Sequence, residues 1–334
     1  MNTKAEIIDA IEGQYKGELP PPVLLTQTGT REQMQICGAA WPDAHRNTEK
    51  MVKLALQPSE LFGFATARVP YDVSAEAEAI GCEVSEGTDI SQPVVTDSPW
   101  RGGIETAFDT PIPSVNEFLS ADRIRTIIDA ARILGEQKDE LFVTSMCISS
   151  TGIATHMLGM ENMIMATMID MDSVAKLIDM VLPLSKAYAS ELSKVSDNVM
   201  LISDVLPGIM TPECIRYSSK NDKEIVSSIR DSYSTVHNCG NTFDEVDQIV
   251  SMSPDIISLE ASSRPADYLR KIGKSCRTLG CINPVTVLLP GTPEAVRNEA
   301  LRSAELGFDL VGPECGVPPL TPNANLKALA DYRL

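Results

Sequence analysis

The sequence predicts an α/β protein built as a single (β/α)8 TIM barrel, and three observations carry that reading. Eight short runs rich in β-branched and apolar residues recur along the 334 residues, each followed by a segment with helical periodicity. Such alternation means parallel strands joined by crossover helices, and eight units suggest closure into a barrel. The runs are almost unbroken in apolar character, as a sheet buried on both faces requires. No tandem repeat, low-complexity tract or linker-like stretch divides the chain, so residues 1–334 read as one domain. An open doubly wound sheet is the competing arrangement.

Taken in order, the chain opens with Ala5, Ile8 and Ile11 spaced as on an amphipathic helix. The expected strands are Val23–Thr28, Phe64–Val69, Leu141–Ile148, Val199–Asp204, Thr235–Cys239, Ile256–Glu260, Thr278–Asn283 and Leu310–Cys315. Helical periodicity covers Ser173–Val195, Glu213–Tyr233 and Pro293–Leu306. Thr211-Pro212-Glu213 and Thr292-Pro293-Glu294 place a capping hydroxyl before a proline at the first helical position, with an acid in the first turn. Ser253-Pro254 and Gly307 mark returns from helix to strand. One unit is irregular: about 70 residues separate the second and third strands. Within it, Ser91–Pro113 is rich in Pro, Gly, Thr and Asp and reads as an inserted surface excursion.

Composition excludes several classes. A net charge of −18 repels a phosphate backbone and an anionic membrane surface, so neither nucleic acid nor membrane is an expected partner. No export signal and no run of about 18 apolar residues is visible, which points to a cytoplasmic protein. The most apolar stretch, 157–180, is broken by Glu161, Asp170, Asp172 and Lys176. Its methionines 157, 160, 163, 165, 168 and 171 are expected to fill gaps in the core. In that compartment the eight cysteines are reduced thiols rather than a disulfide frame.

Barrel chemistry sits where strands end. His237 and Cys239 close the fifth expected strand in STVHNCG, and residues two apart on a strand face the same side. Cys315 closes the eighth in LVGPECG, 76 positions later. Glu260 closes the sixth and points the same way. Structural zinc sites are built from close Cys-x2–4-Cys pairs, and the one pair at such spacing, Cys276 and Cys281, faces opposite ways on or near a strand and does not share a metal; ligands gathered from separate strands give the catalytic pattern of three protein ligands and one open position. Glu260 is the candidate for that fourth position at rest. Zinc with two thiolates and one imidazole is formally neutral and acidifies water weakly. A substrate thiolate makes the site −1 and stays electron-rich, so the natural reaction is alkyl transfer to sulfur. His45 and His156 read as structural or exposed, and Cys147 as a core cysteine.

HNCGN at 237–241 together with GPECGVPPLTPNANLKAL at 312–329 resembles the methylcobamide:coenzyme M methyltransferases, the zinc-dependent branch of the uroporphyrinogen decarboxylase-like family. LLTQTGT at 24–30, GAAWPDAHRNTEKMVKLAL at 38–56, ARVPYD at 67–72, EAEAIGCEV at 76–84 and INPVTVLLPGTPE at 282–294 extend the resemblance over nearly the whole chain. It implies a (β/α)8 barrel and one zinc ion per chain on His237, Cys239 and Cys315, with Glu260 at the acidic position of the sixth strand. It implies a methyl group passed from a methylated corrinoid protein (a methylcobamide) to the thiol of coenzyme M. A different thiol acceptor, or a decarboxylase-type lyase, is the alternative; against the latter, the N-terminal segment 20–38 carries only Arg31, not the arginine cluster that clamps substrate carboxylates. The sulfonate of coenzyme M needs a cation or backbone donors, and Arg68 or glycine-rich turns meet that need. Asp204 is a candidate for contacting substrate or for holding the other ring nitrogen of His237. Gln27 is a further candidate at the mouth.

Overall fold

The computed structural model describes residues 2–26, 29–137, 140–203 and 208–334. Its main sheet has seven parallel strands: β1 (Thr66–Val69), β4 (Phe142–Ile148), β5 (Asn198–Ile202), β6 (Tyr233–Asn238), β7 (Ile256–Leu259), β8 (Arg277–Ile282) and β9 (Leu310–Pro313), adjacent in that order. Every strand of β4 to β7 is buried along its length except the first residue of β6, as double-sided helical cover dictates. Between β1 and β4 lies a separate antiparallel ribbon of β2 (Glu83–Val84) and β3 (Val95–Asp97). Within the expected excursion at 91–113, β3 is ordered into this ribbon. Trp100 is buried there and its indole N–H donates to the Thr110 carbonyl at 3.1 Å.

The sheet is curled, and residues 21–24 touch both of its ends. Val23 donates to the Val311 carbonyl on β9 (2.9 Å), Val311 donates to the Pro21 carbonyl (3.1 Å), and the Leu24 N–H reaches Thr66 Oγ1 on β1 (3.2 Å). The expected first strand over 23–28 does not form a ladder among the described residues; it is reduced to one parallel bridge from Pro22 to Val311. Pro20, Pro21 and Pro22 supply no N–H donors, and the chain turns at Leu25–Thr26. A satellite apolar cluster of Leu24, Phe64, Ile282, Val311, Leu326 and their neighbours fills this seam.

Cap chemistry fixes the helices much as the sequence predicts. Thr211 accepts from the Cys214 N–H and Thr292 from the Ala295 N–H, starting helices Pro212–Val226 and Pro293–Leu306. Gly307 ends the latter in the left-handed region at φ 98°. The helix expected to run to Tyr233 stops at Val226 instead. Ser227 and Ser228 turn their hydroxyls back onto the Lys223 and Ile225 carbonyls, and Tyr233 already belongs to β6.

The methionine-rich stretch departs from expectation. Met157 and Met163 are buried, whereas Met165 is 52% and Met168 71% exposed, beside Ile169 at 75%. Helix Met160–Ile169 is apolar beyond its first turn, which carries Glu161 and Asn162, but it buries only Met163, Ala166 and Thr167. It lies between the carboxyl end of β4 and the long helix Met171–Ser193 that returns toward β5. Other exposed apolar side chains are Phe108 after β3, Ile209 after β5, Val285 after β8 and Leu320 after β9. No helix among the described residues is long and apolar enough to cross a membrane.

Candidate metal centre

Parallel strands end on one side of the sheet, and there the separated ligands meet. His237 is the penultimate residue of β6 and Cys239 follows its last residue; Cys315 lies just beyond β9. His237 Nε2 stands 3.2 Å from Cys239 Sγ, which stands 3.5 Å from Cys315 Sγ. All three donor atoms lie within 4.8 Å of one another, the one such group of three among the described residues. Donors at about 2.0–2.3 Å around a tetrahedral zinc ion stand about 3.5–3.8 Å apart, so the donor set fits that ion in kind and in spacing.

Strand register accounts for the imidazole's orientation. His237 pairs with Ser258 across the β6–β7 ladder, and His237 Nδ1 lies 2.9 Å from Ser258 Oγ. With Nδ1–H donated to that hydroxyl, Nε2 is left bare toward the two sulfurs. The nitrogen that sequence reasoning offered to Asp204 is therefore held by Ser258. Asp204 itself and Gln27 lie outside the described residues.

The electrostatics favour thiolate. A hydrogen bond from Cys239 pushes the Cys315 thiol far below its usual range; His237 and the Gly316 N–H add to this, against the opposing effect of burial. Glu260, just beyond β7, has a raised pKa, first because it is partly buried and next because it faces Cys315, with which it shares a hydrogen bond. It stands beside Cys315 without joining the group of three donors. Arg68 on β1 is buried and reaches Met146 Sδ on β4. Burial lowers its pKa to about 10, while Cys315 and Asp72 pull the other way. Its guanidinium stays charged at neutral pH and within electrostatic reach of the sulfurs.

Sequence reasoning missed Glu314. This residue is 1% exposed; it accepts from the Ser262 N–H (2.8 Å), the Ser262 hydroxyl (2.7 Å) and Asn283 Nδ2 (2.7 Å). An acid directly before a ligand cysteine at a strand end was the available signal. Its partners come from distant loops and could not be read from spacing. His45 is structural, as expected: it is buried, with Nδ1 2.8 Å from Asp72, which also pairs with the buried Arg123. Cys147 is a buried core cysteine.

Known proteins resemble the chain over nearly its whole length. The profile of the uroporphyrinogen decarboxylase (URO-D) family matches residues 2–333. Methylcobamide:CoM methyltransferase MtaA of Methanosarcina barkeri is 29% identical over 334 residues, covering 99% of this chain and 97% of its own. Methylcobamide:CoM methyltransferase MtbA of Methanosarcina mazei is 31% identical over 322 residues, covering 93% and 91%. The solved structure of a methyltransferase from Methanosarcina mazei superposes with a TM-score of 0.91 at 28% identity, covering 100% of this chain and 98% of that one. The chain belongs to the uroporphyrinogen decarboxylase family and, within it, to the branch of the methylcobamide:CoM methyltransferases.

Proposed function

We propose that this chain is a zinc-dependent methyltransferase that moves a methyl group from a methylated corrinoid to the thiol of coenzyme M. The observation that carries the reading is the meeting of His237, Cys239 and Cys315 at the carboxyl ends of strands distant in sequence. These three would hold one zinc ion per chain. When bound there, zinc lowers the pKa of a thiol and keeps it as a nucleophilic thiolate.

The chain's own residues do the remainder. Ser258 fixes the ring of His237, and the two cysteines give the centre enough negative charge to leave a substrate sulfur electron-rich. Glu260, which shares a hydrogen bond with Cys315, would complete the donor set when no thiol is present, and its carboxylate would take the proton that an incoming thiol loses. Arg68, buried and cationic near the sulfurs, anchors the sulfonate. Asp204 and Gln27 stand in segments that follow β5 and precede Gly29, and are assigned to the substrate pocket. The bridge at Pro22 supports closure of the sheet into a (β/α)8 barrel, with the excursion at 91–113 inserted between its second and third strands.

The methyl donor is carried by a corrinoid protein that docks over this mouth in the cytoplasm. The relatives' names specify methylcobamide as donor, and exposed apolar side chains lie in the connections that follow β4 (helix 160–169) and β5 (Ile209). X-ray absorption at the zinc edge, with and without coenzyme M, tests the reading. One added sulfur neighbour is expected on adding the thiol, together with methyl transfer from methylcobalamin. Full zinc occupancy with neither result would overturn it, and turnover with homocysteine alone would reassign the acceptor.

A further inference from the structure

We propose that Glu314 is a positioning residue, whose carboxylate sets the separation between Cys315 and Glu260 by clamping together the loops that follow β7, β8 and β9. The inference rests on the metal reading above and adds a residue to it.

Three donors converge on this one buried side chain. Oε1 accepts from Ser262 Oγ and from Asn283 Nδ2, each at 2.7 Å, and Oε2 accepts from the Ser262 backbone N–H at 2.8 Å. Asn283 Nδ2 also reaches Ser262 Oγ at 3.3 Å, closing a ring of contacts among three loops. Asn283 in turn accepts the N–H groups of Val285 and Thr286 through Oδ1, which fixes the loop after β8. Glu314 itself is held in register by its N–H to the Ile282 carbonyl at 3.0 Å.

The clamp bears directly on the metal centre. Cys315 is the next residue after Glu314. Ser262 is two residues after Glu260, and two residues of chain span at most about 7 Å. Tying Ser262 to Glu314 therefore restricts how far Glu260 can move from Cys315, with which it shares a hydrogen bond. A carboxylate is the side chain this position requires, since all three partners donate and only an ionised acid accepts at both ends. A glutamine would turn its amide N–H toward the Ser262 N–H or toward Asn283 Nδ2, donor against donor.

The test is a double-substitution cycle in the cobalt(II)-reconstituted full chain, comparing Glu314→Gln, Glu260→Gln and the pair. Cobalt affinity is read by competition with a chromophoric chelator, and thiol binding by the change in the visible cobalt bands on adding 2-mercaptoethanesulfonate. Glu314→Gln alone should weaken cobalt binding about ten- to hundredfold, the range typical of residues that orient metal ligands. In the Glu260→Gln background the same substitution should cost clearly less, because part of its effect runs through Glu260. Additive losses, or unchanged affinity in Glu314→Gln, would overturn the proposal. Should Glu314→Gln not fold, Ser262→Ala takes its place in the cycle. It removes one hydroxyl donor from the clamp, with an expected loss of about fivefold, and additivity there overturns the proposal equally. A parent chain that takes up no cobalt overturns the metal reading itself; a parent that binds cobalt normally, with additive variants, overturns only the role of Glu314.

Discussion

His237 faces Ser258 because the two are register partners in adjacent parallel strands, and that pairing decides which ring nitrogen is free for a metal. Replacing Ser258 by alanine should weaken zinc binding about ten- to hundredfold while leaving the fold intact, since the side chain removed is small and the strand ladder is made by backbone. Chelator competition measures the first expectation and thermal unfolding of the metal-free chain the second. Equal zinc affinity in Ser258→Ala would show that the ring is oriented by packing alone. The three residues of the candidate metal centre were legible in the sequence because each is chemically conspicuous and sits at a recognisable strand end. Ser258 was not legible: a serine in an apolar run carries no signal until the register between β6 and β7 is known. Glu314 escaped for the same reason, its partners Ser262 and Asn283 lying on two other loops.

At the level of elements, the carboxyl end of β4 is tied to helix Ala75–Ile80 by one buried acid. Glu76 is 1% exposed and accepts the Ile148 N–H at 2.8 Å. Burial pushes its pKa up to about 7, against the hydrogen bonds that favour its charged form. An acid whose folded pKa is raised binds more protons when folded than when unfolded, throughout the window between its ordinary value and about 7. Stability should therefore fall as pH rises through that window, by up to roughly 3 kcal/mol, and stay lowered above it. Glu76→Gln keeps an acceptor for the Ile148 N–H and should remove this component of the pH dependence, read from denaturant unfolding between pH 4.5 and 8. An unchanged pH profile in the variant would place the proton elsewhere. Strand positions were readable to within about two residues from apolar runs. Where the reading failed, at the segment after Pro20–Pro22 and at the helix end near Ser227–Ser228, missing donors and back-bonding hydroxyls decided the outcome.

Over the whole molecule, charge and apolar exposure divide the work. A net charge of −18 keeps the chain in solution. Exposed apolar side chains are nonetheless present on several segments beyond the strands' carboxyl ends, and helix Met160–Ile169 carries the densest set. Alternation of strand and helix made the architecture legible. The fate of this helix was hidden, because a mostly apolar helix reads as core whether or not a neighbour covers it, and methionine suits both a core gap and an adaptable docking face. The two roles separate by experiment. Met165 and Met168 are half or more exposed, so replacing both by glutamate removes little packing and adds two negative charges to the face. If a corrinoid protein docks there, kcat/KM with that protein as donor should fall about tenfold or more, equivalent to at least about 1.4 kcal/mol. Transfer from free methylcobalamin, which needs no protein docking, should change little. Equal losses with both donors would assign the helix to the active site itself, and full activity with the protein donor would move the docking face elsewhere on the rim.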